Sequence, residues 1–185
     1  DHYGVDTSRV RIAFNGIDHD IFHPDPAVAP EPGLIVTTAS ADAPIKGLDV
    51  LIDALARVAA ARPLARLHII GTLRDGPAKQ ALAAHGLSTR VTTSANLTRE
   101  AIAQLYRRAH IVACLARFEG FGFPAAEAMA CGAAAAASNG GALPGAVGDA
   151  GWISTSGDSA SLATELTRLL ASPEAALSPT HIPEP

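Results

Sequence analysis

Two glutamates carry the first chemical signal in this chain. In RFEGFGFPAAEAMACG, residues 117–132, Glu119 stands just before a turn of glycines and aromatics, and Glu127 follows seven intervening residues later, beyond a proline. Such a pair could serve acid/base work, form a ligand cradle, or be two surface acids on one helix. The residues between them favour the cradle. Gly120 and Gly122 let the backbone approach a ligand closely and leave N–H groups free for it, with Phe121 and Phe123 beside them. Pro124 suits the first position of a helix, whose N-terminus carries a partial positive charge fit for a phosphate. Glu127, in the expected first turn, could then reach a neutral hydroxyl such as that of a ribose. Glu119, at the expected end of the preceding strand, could hold a second polar group. Carboxylates that hold hydroxyls make charge-assisted hydrogen bonds and need not titrate. Spacing alone leaves two solvated acids as the alternative.

Two other loops have similar character. DAPIKG, residues 42–47, puts Lys46 and Gly47 at a helix start, where a mobile cation could face a diphosphate; the plainer alternative is a solvated lysine. In IIGTLRDG, residues 69–76, Gly71 follows an apolar strand and would permit close backbone approach. No GxGxxG fingerprint, GxxxxGK[ST] loop or GxSxG elbow occurs, which weakens dinucleotide, NTPase and hydrolase readings.

The elements that must position these loops alternate along the chain. Strands are expected over 9–15, 34–40, 64–71, 90–95, 111–116 and 152–156. Helices are expected over 47–63, 77–86, 98–110, 124–131 and 158–172, with Thr98 and Asp158 at N-caps. Leu48, Leu51, Ile52, Leu55 and Val58 form one face of the first helix, which Pro63 stops. GAAAAAS, residues 132–138, is ambiguous: alanine is a poor strand former, yet Gly132 breaks the preceding helix, so a strand is expected. Alternation of this kind implies an α/β fold, a Rossmann-like doubly wound parallel sheet with helices on both faces. Ligands of such sheets sit beyond the carboxyl ends of the strands, where loops 40–47, 71–77 and 116–124 fall.

Composition sets outer limits. The chain has 185 residues, 48% of them apolar and only 4% aromatic, enough for one domain with an aliphatic core. Its net charge of −4 and lack of a Lys/Arg cluster argue against nucleic acid as partner. Cys114 and Cys131 form no framework and read as buried thiols of a reducing, cytoplasmic setting. The seven histidines, at 2, 19, 23, 68, 85, 110 and 181, lack metal-ligand spacing, so neither a metal nor a cofactor is expected. No apolar run reaches about 18 residues, so membrane contact is expected to be peripheral at most. The first residues lack the pattern of a signal peptide, and without an initiator methionine the chain is expected to be processed or a fragment.

Taken in order, VRIAFNGIDHDIFHP, IKGLDVLIDALARV, LHIIG, LTREAIAQLYRRAHIVACLARFEGFGFPAAEAMACG and SNGGALPGAVGDAG resemble the C-terminal, donor-binding domain of GT-B glycosyltransferases of family 4 (glycosyltransferase group 1), over about residues 9–172. The resemblance implies one half of a GT-B architecture: a post-linker segment and first strand over 1–33, a nucleotide-sugar-binding domain over 34–172, and a Pro-rich tail over 173–185. It implies retaining sugar transfer from a UDP- or GDP-linked donor to an acceptor held by an N-terminal domain, and an isolated domain that is inactive by itself. Glu127 would hold the ribose, Glu119 would sit beside the sugar, and the backbone of Gly120, Phe121, Gly122 and Phe123 would contact it. Lys46, with Gly47 beside it, would neutralise the diphosphate, and the segment from Val91 to Leu97 would lie near the base. Lys46 and Glu119 are the expected catalytic pair. Three departures stand out: Ala41 replaces a frequent arginine, Gly145 replaces a usual glutamate, and the alanine run replaces proline and β-branched residues. They keep open a degenerate, non-catalytic nucleotide-sugar-binding module; a sugar-nucleotide epimerase of the same architecture is a third reading.

Overall fold

The computed structural model describes residues 6, 8, 10–11, 15–39 and 43–171. Within them a six-stranded sheet runs in the order β3-β2-β1-β4-β5-β6, every pair parallel. The strands are β1 Leu34–Thr38, β2 Arg66–Ile70, β3 Val91–Ser94, β4 Ile111–Cys114, β5 Ala134–Ser138 and β6 Trp152–Ser154. The α-helices are α1 Leu48–Ala61, α2 Pro77–Ala84, α3 Arg99–Arg108, α4 Phe123–Ala130, α5 Leu143–Val147 and α6 Ser159–Leu169. A parallel sheet needs both faces covered, so its central strands read as continuous apolar runs. Ile35 points into one core with α1, α2 and α6, while Leu34 and Val36 point into another with α3 and α4. This is the expected doubly wound sheet.

The helices form where periodicity and caps agree. All five expected face residues of α1 are buried, together with Ala54. Thr98 caps α3 by accepting from the Ala101 N–H, and Asp158 caps α6 by accepting from those of Ala160 and Ser161. The alanine run resolves as β5, with all five residues buried. Ala135 and Ala137 pack against α4 and α5, joining Ala125, Leu143 and Val147 in a cluster of their own, while Ala136 faces the core shared with α1 and α6. Gly132, at φ 85°, ends the possibility of a longer α4. Helix α5 is an element that the sequence reading did not contain.

The expected strand over 9–15 falls partly outside the described residues, and Val10, Arg11 and Asn15 are not in a strand. Ala41, the tail 173–185 and residue 172 of the last expected helix also lie outside them. Residues 15–33 form no helix or strand yet are firmly placed. Phe22 is buried against Tyr106 and below the Arg99 guanidinium, and Arg107 donates to the carbonyls of Ile21 and His23.

Candidate functional site

The order 3-2-1-4-5-6 creates a topological switch between β1 and β4. The chain leaves β1 for α1 on one face and leaves β4 for α4 on the other, so a crevice opens between the two exits. Lys46 and Glu119 meet there across 73 residues of sequence, Nζ to Oε2 at 2.9 Å. Lys46 ends a 3-10 turn, Pro44–Lys46, after β1. Glu119 stands five residues beyond β4; the expectation that it ends the strand is corrected, because β4 stops at Cys114 and the chain then turns outward. Thr38 and Cys114, from the strand ends, and Phe123 complete the walls of an open cleft of about 140 Å³.

Close backbone contacts make this meeting possible. Gly47 has φ 65°, and a Cβ there would lie 2.3 Å from the Leu115 carbonyl oxygen. The loop that carries Glu119 is fixed from the β5 side. Ser138 Oγ donates to the Ala116 carbonyl at 2.6 Å, and the Ala142 N–H to that of Glu119 at 2.9 Å. A Cβ on Gly140 would lie 2.1 Å from the Ala116 oxygen, and one on Gly141, at φ 64°, 2.3 Å from the Glu119 oxygen. The sequence reading gave Ser138, Gly140, Gly141 and Ala142 no role. The available signal was a serine and two adjacent glycines directly after an apolar run.

The turn between Glu119 and α4 is built to present N–H groups. Gly122 caps α4 at φ 96° without a side-chain partner. Among the described residues, no acceptor meets the N–H groups of Phe121, Gly122 and Phe123. Consecutive open amides at a helix N-terminus form an anion-binding concavity. The ring of Phe121 packs on that of Phe123 at 4.6 Å between centroids. The Gly120 N–H donates to the Glu119 carboxylate at 3.3 Å, and the space beside its Cα is open.

Glu127 is the fifth residue of α4, one position later than expected because the helix starts at Phe123. It is half-buried, has no hydrogen-bond partner among the described residues, and burial raises its carboxyl above the usual range against the pull of Arg99. Beneath it, the Tyr106 phenol shares a 3.0 Å hydrogen bond with Thr38 Oγ1. Burial raises the Tyr106 hydroxyl, and it pushes the Cys114 thiol up to about 12, aided by the charges of Glu119 and Glu127. Cys114 is partly exposed and lines the cleft itself, so the two glutamates act on one patch of the cleft wall.

Gly71 directly follows β2, one strand away from the crevice, and its N–H is committed to the Ser94 carbonyl at 2.7 Å. The segment from Val91 to Leu97 consists of β3 and the start of the loop that leaves it at the same end of the sheet, with Asn96 at φ 55°. Gly145 lies in α5 with nothing within 4 Å of the position of a Cβ. Among the described residues no cluster of three metal-ligating side chains occurs, and no helix is long and apolar enough to cross a membrane.

A doubly wound parallel sheet with a lysine and a turn of open N–H groups at its switch point defines the class of the fold: a Rossmann-like α/β domain. Within it, the profile of the glycosyl transferases group 1 family matches residues 21–180, and this chain belongs to that family. It is 35% identical, over 92% of its length, to the MMP alpha-(1->4)-mannosyltransferase of Mycolicibacterium hassiacum. It is 39% identical, over 80% of its length, to the D-inositol 3-phosphate glycosyltransferase of Mycobacteroides abscessus. The chain spans 42% and 35% of those two relatives. In fold it is similar to the C-terminal domain of a glycosyl transferase group 1 family protein (LpcC) from Francisella tularensis. The TM-score is 0.74 at 23% identity, with 87% of this chain and 91% of that one covered. It is also similar to Anabaena Alr3699/HepE in complex with UDP, at TM-score 0.75 and 26% identity, covering 95% of this chain and 53% of that one. These neighbours place the sheet as one half of a GT-B architecture.

Proposed function

We propose that this chain is the donor-binding half of a retaining glycosyltransferase that uses a nucleotide-diphosphate sugar, UDP- or GDP-linked, with the acceptor held by an N-terminal GT-B domain. The observation that carries the reading is the meeting of Lys46 and Glu119 at the switch point, beside three open N–H groups. A diphosphate offers charge to Lys46 and acceptors to the amides of Phe121, Gly122 and Phe123. Glu127, half-buried with no hydrogen-bond partner among the described residues, is matched by the donor hydroxyls of a ribose. Glu119 already pairs with Lys46, so it serves as a positioning group beside the sugar and not as half of an acid/base couple.

In this reading the bond from the anomeric carbon to the diphosphate oxygen breaks, and the acceptor oxygen bonds that carbon on the same face. The acceptor's proton passes to the departing diphosphate. The main task of the protein is to stabilise charge on the leaving group, through donors fixed in advance, and no metal or cofactor is asked of the chain. The cleft of about 140 Å³ is well below the roughly 300–1,000 Å³ of complete small-molecule sites, which supports a second lobe closing over the donor. The UDP complex of the similar Anabaena protein supports a uridine donor.

Calorimetric titration with UDP, GDP and ADP tests the reading. UDP or GDP should bind, and Glu127→Ala should weaken binding about 10- to 100-fold, the effect of losing charge-assisted bonds worth about 1.5–3 kcal/mol. Absence of binding by all three nucleotides would overturn it. Of the departures noted in the sequence, the alanine run still forms β5 in full, whereas the missing side chains at Ala41 and Gly145 are what the non-catalytic alternative rests on.

A further inference from the structure

At the opposite end of the sheet lies a second cavity, of about 230 Å³, between the starts of β1–β3 and the last turn of α3. Arg66, Arg90 and Arg108 line it, so three guanidiniums face the one carboxylate of Glu31. Glu31 bridges two of them: Oε2 takes Arg66, and Oε1 takes both Nε and an amino group of Arg108. Arg90 uses one amino group for the carbonyls of Pro63 and Ala65, and its second amino group has no partner among the described residues. His68 and Thr92 also line the cavity and share a 2.8 Å hydrogen bond between Nδ1 and Oγ1. The Nε2 atom of the same ring is buried and has no partner among the described residues. Burial and the charge of Arg108 both keep His68 below its usual range, so its ring stays neutral.

We propose that this cavity binds a small dianionic phosphate, as the free ion or as a phosphate monoester. The charge balance carries the argument. The lining residues hold two more positive charges than negative ones, which a phosphate dianion matches. Planar guanidiniums suit such oxyanions because their N–H groups are fixed in a fork. Thr89 adds a neutral hydroxyl, and the His68 ring lines the same space. Glu31 shows how the site receives an anion, since it already spans Arg66 and Arg108 as an internal carboxylate. The five residues of β1 separate this cavity from the donor cleft, about 17 Å at roughly 3.3 Å per residue. Both sites can therefore be filled together, and this inference does not depend on the donor reading.

The test follows the His68 imidazole by NMR, assigned by loss of its signal in His68→Gln. Inorganic phosphate is added in one arm and glucose 6-phosphate in another, against sodium chloride at matched ionic strength. Saturable shifts are expected, with half-saturation at about 1 mM or below. Arg90→Gln should weaken binding about tenfold or more, and Glu31→Gln, which removes the internal carboxylate, should tighten it about threefold or more. Lys46→Gln, at the other end of the sheet, should leave the response unchanged. Tighter binding of the monoester would assign the site to a phosphorylated metabolite, and equal binding would assign it to phosphate itself. A response no larger than that to chloride overturns the proposal. So does one that survives Arg90→Gln in a folded protein, fails to strengthen in Glu31→Gln, or vanishes in Lys46→Gln.

Discussion

Replacing Gly141 by alanine tests how the candidate site is held together. Gly141 has φ 64°, and an added Cβ would lie 2.3 Å from the carbonyl oxygen of Glu119 and 2.8 Å from its nitrogen. The left-handed conformation costs a non-glycine residue about 1–2 kcal/mol. Overpacking against fixed backbone adds about 1–3 kcal/mol, and the stiffer unfolded chain offsets about 0.4–1 kcal/mol. The net loss is about 1–5 kcal/mol, and for a chain of this size each kcal/mol lowers Tm by about 2–4 °C. Thermal unfolding should therefore shift down by about 2–20 °C. The Glu119 loop must also move, disturbing the Lys46 contact, so affinity for the nucleotide found by titration should fall about tenfold or more. Gly120→Ala, in the same loop with open space at its Cα, should stay within about 0.5 kcal/mol of the parent. Equal Tm values for the two variants would refute the claim that the Gly140-Gly141 turn fixes Glu119.

Three further outcomes are expected. Tyr106→Phe removes only the hydroxyl that bonds Thr38, and urea denaturation should show a loss of about 1 kcal/mol. Because burial raises the Glu127 carboxyl in the folded state, its contribution is fully present below the ordinary value of 4.5 and is lost as pH rises through the raised one. Glu127→Gln should accordingly gain thermal stability relative to the parent between pH 4 and pH 7; a constant difference across that range would contradict the burial argument. Cys114, pushed up from 9.0 to about 12, should present about 1,000-fold less thiolate at pH 8 than an ordinary cysteine. Labelling with a thiol reagent should be slow in the folded chain and fast in denaturant, and rapid native labelling at Cys114, located by mass spectrometry, would count against it.

The sequence alone determined most elements and their faces. The apolar spacing of α1, the side-chain caps at Thr98 and Asp158 and the buried run of β4 are local properties, and each formed where its own residues predict. The chemistry of the FEGFGFP turn was legible for the same reason, since glycines, a proline and a helix start act over a few residues. Tertiary structure decided what meets what. Lys46 and Glu119 are far apart in the chain, and only the crossover that sets β4 beside β1 brings them together. Periodicity reports which face of an element is buried but not which strand becomes its neighbour. The same limit hid Ser138, Gly140 and Gly141, whose role rests on backbone contacts with a loop about twenty residues earlier. It also left the alanine run ambiguous, because its strand form depends less on propensity than on α4 and α5 closing over side chains small enough to admit them.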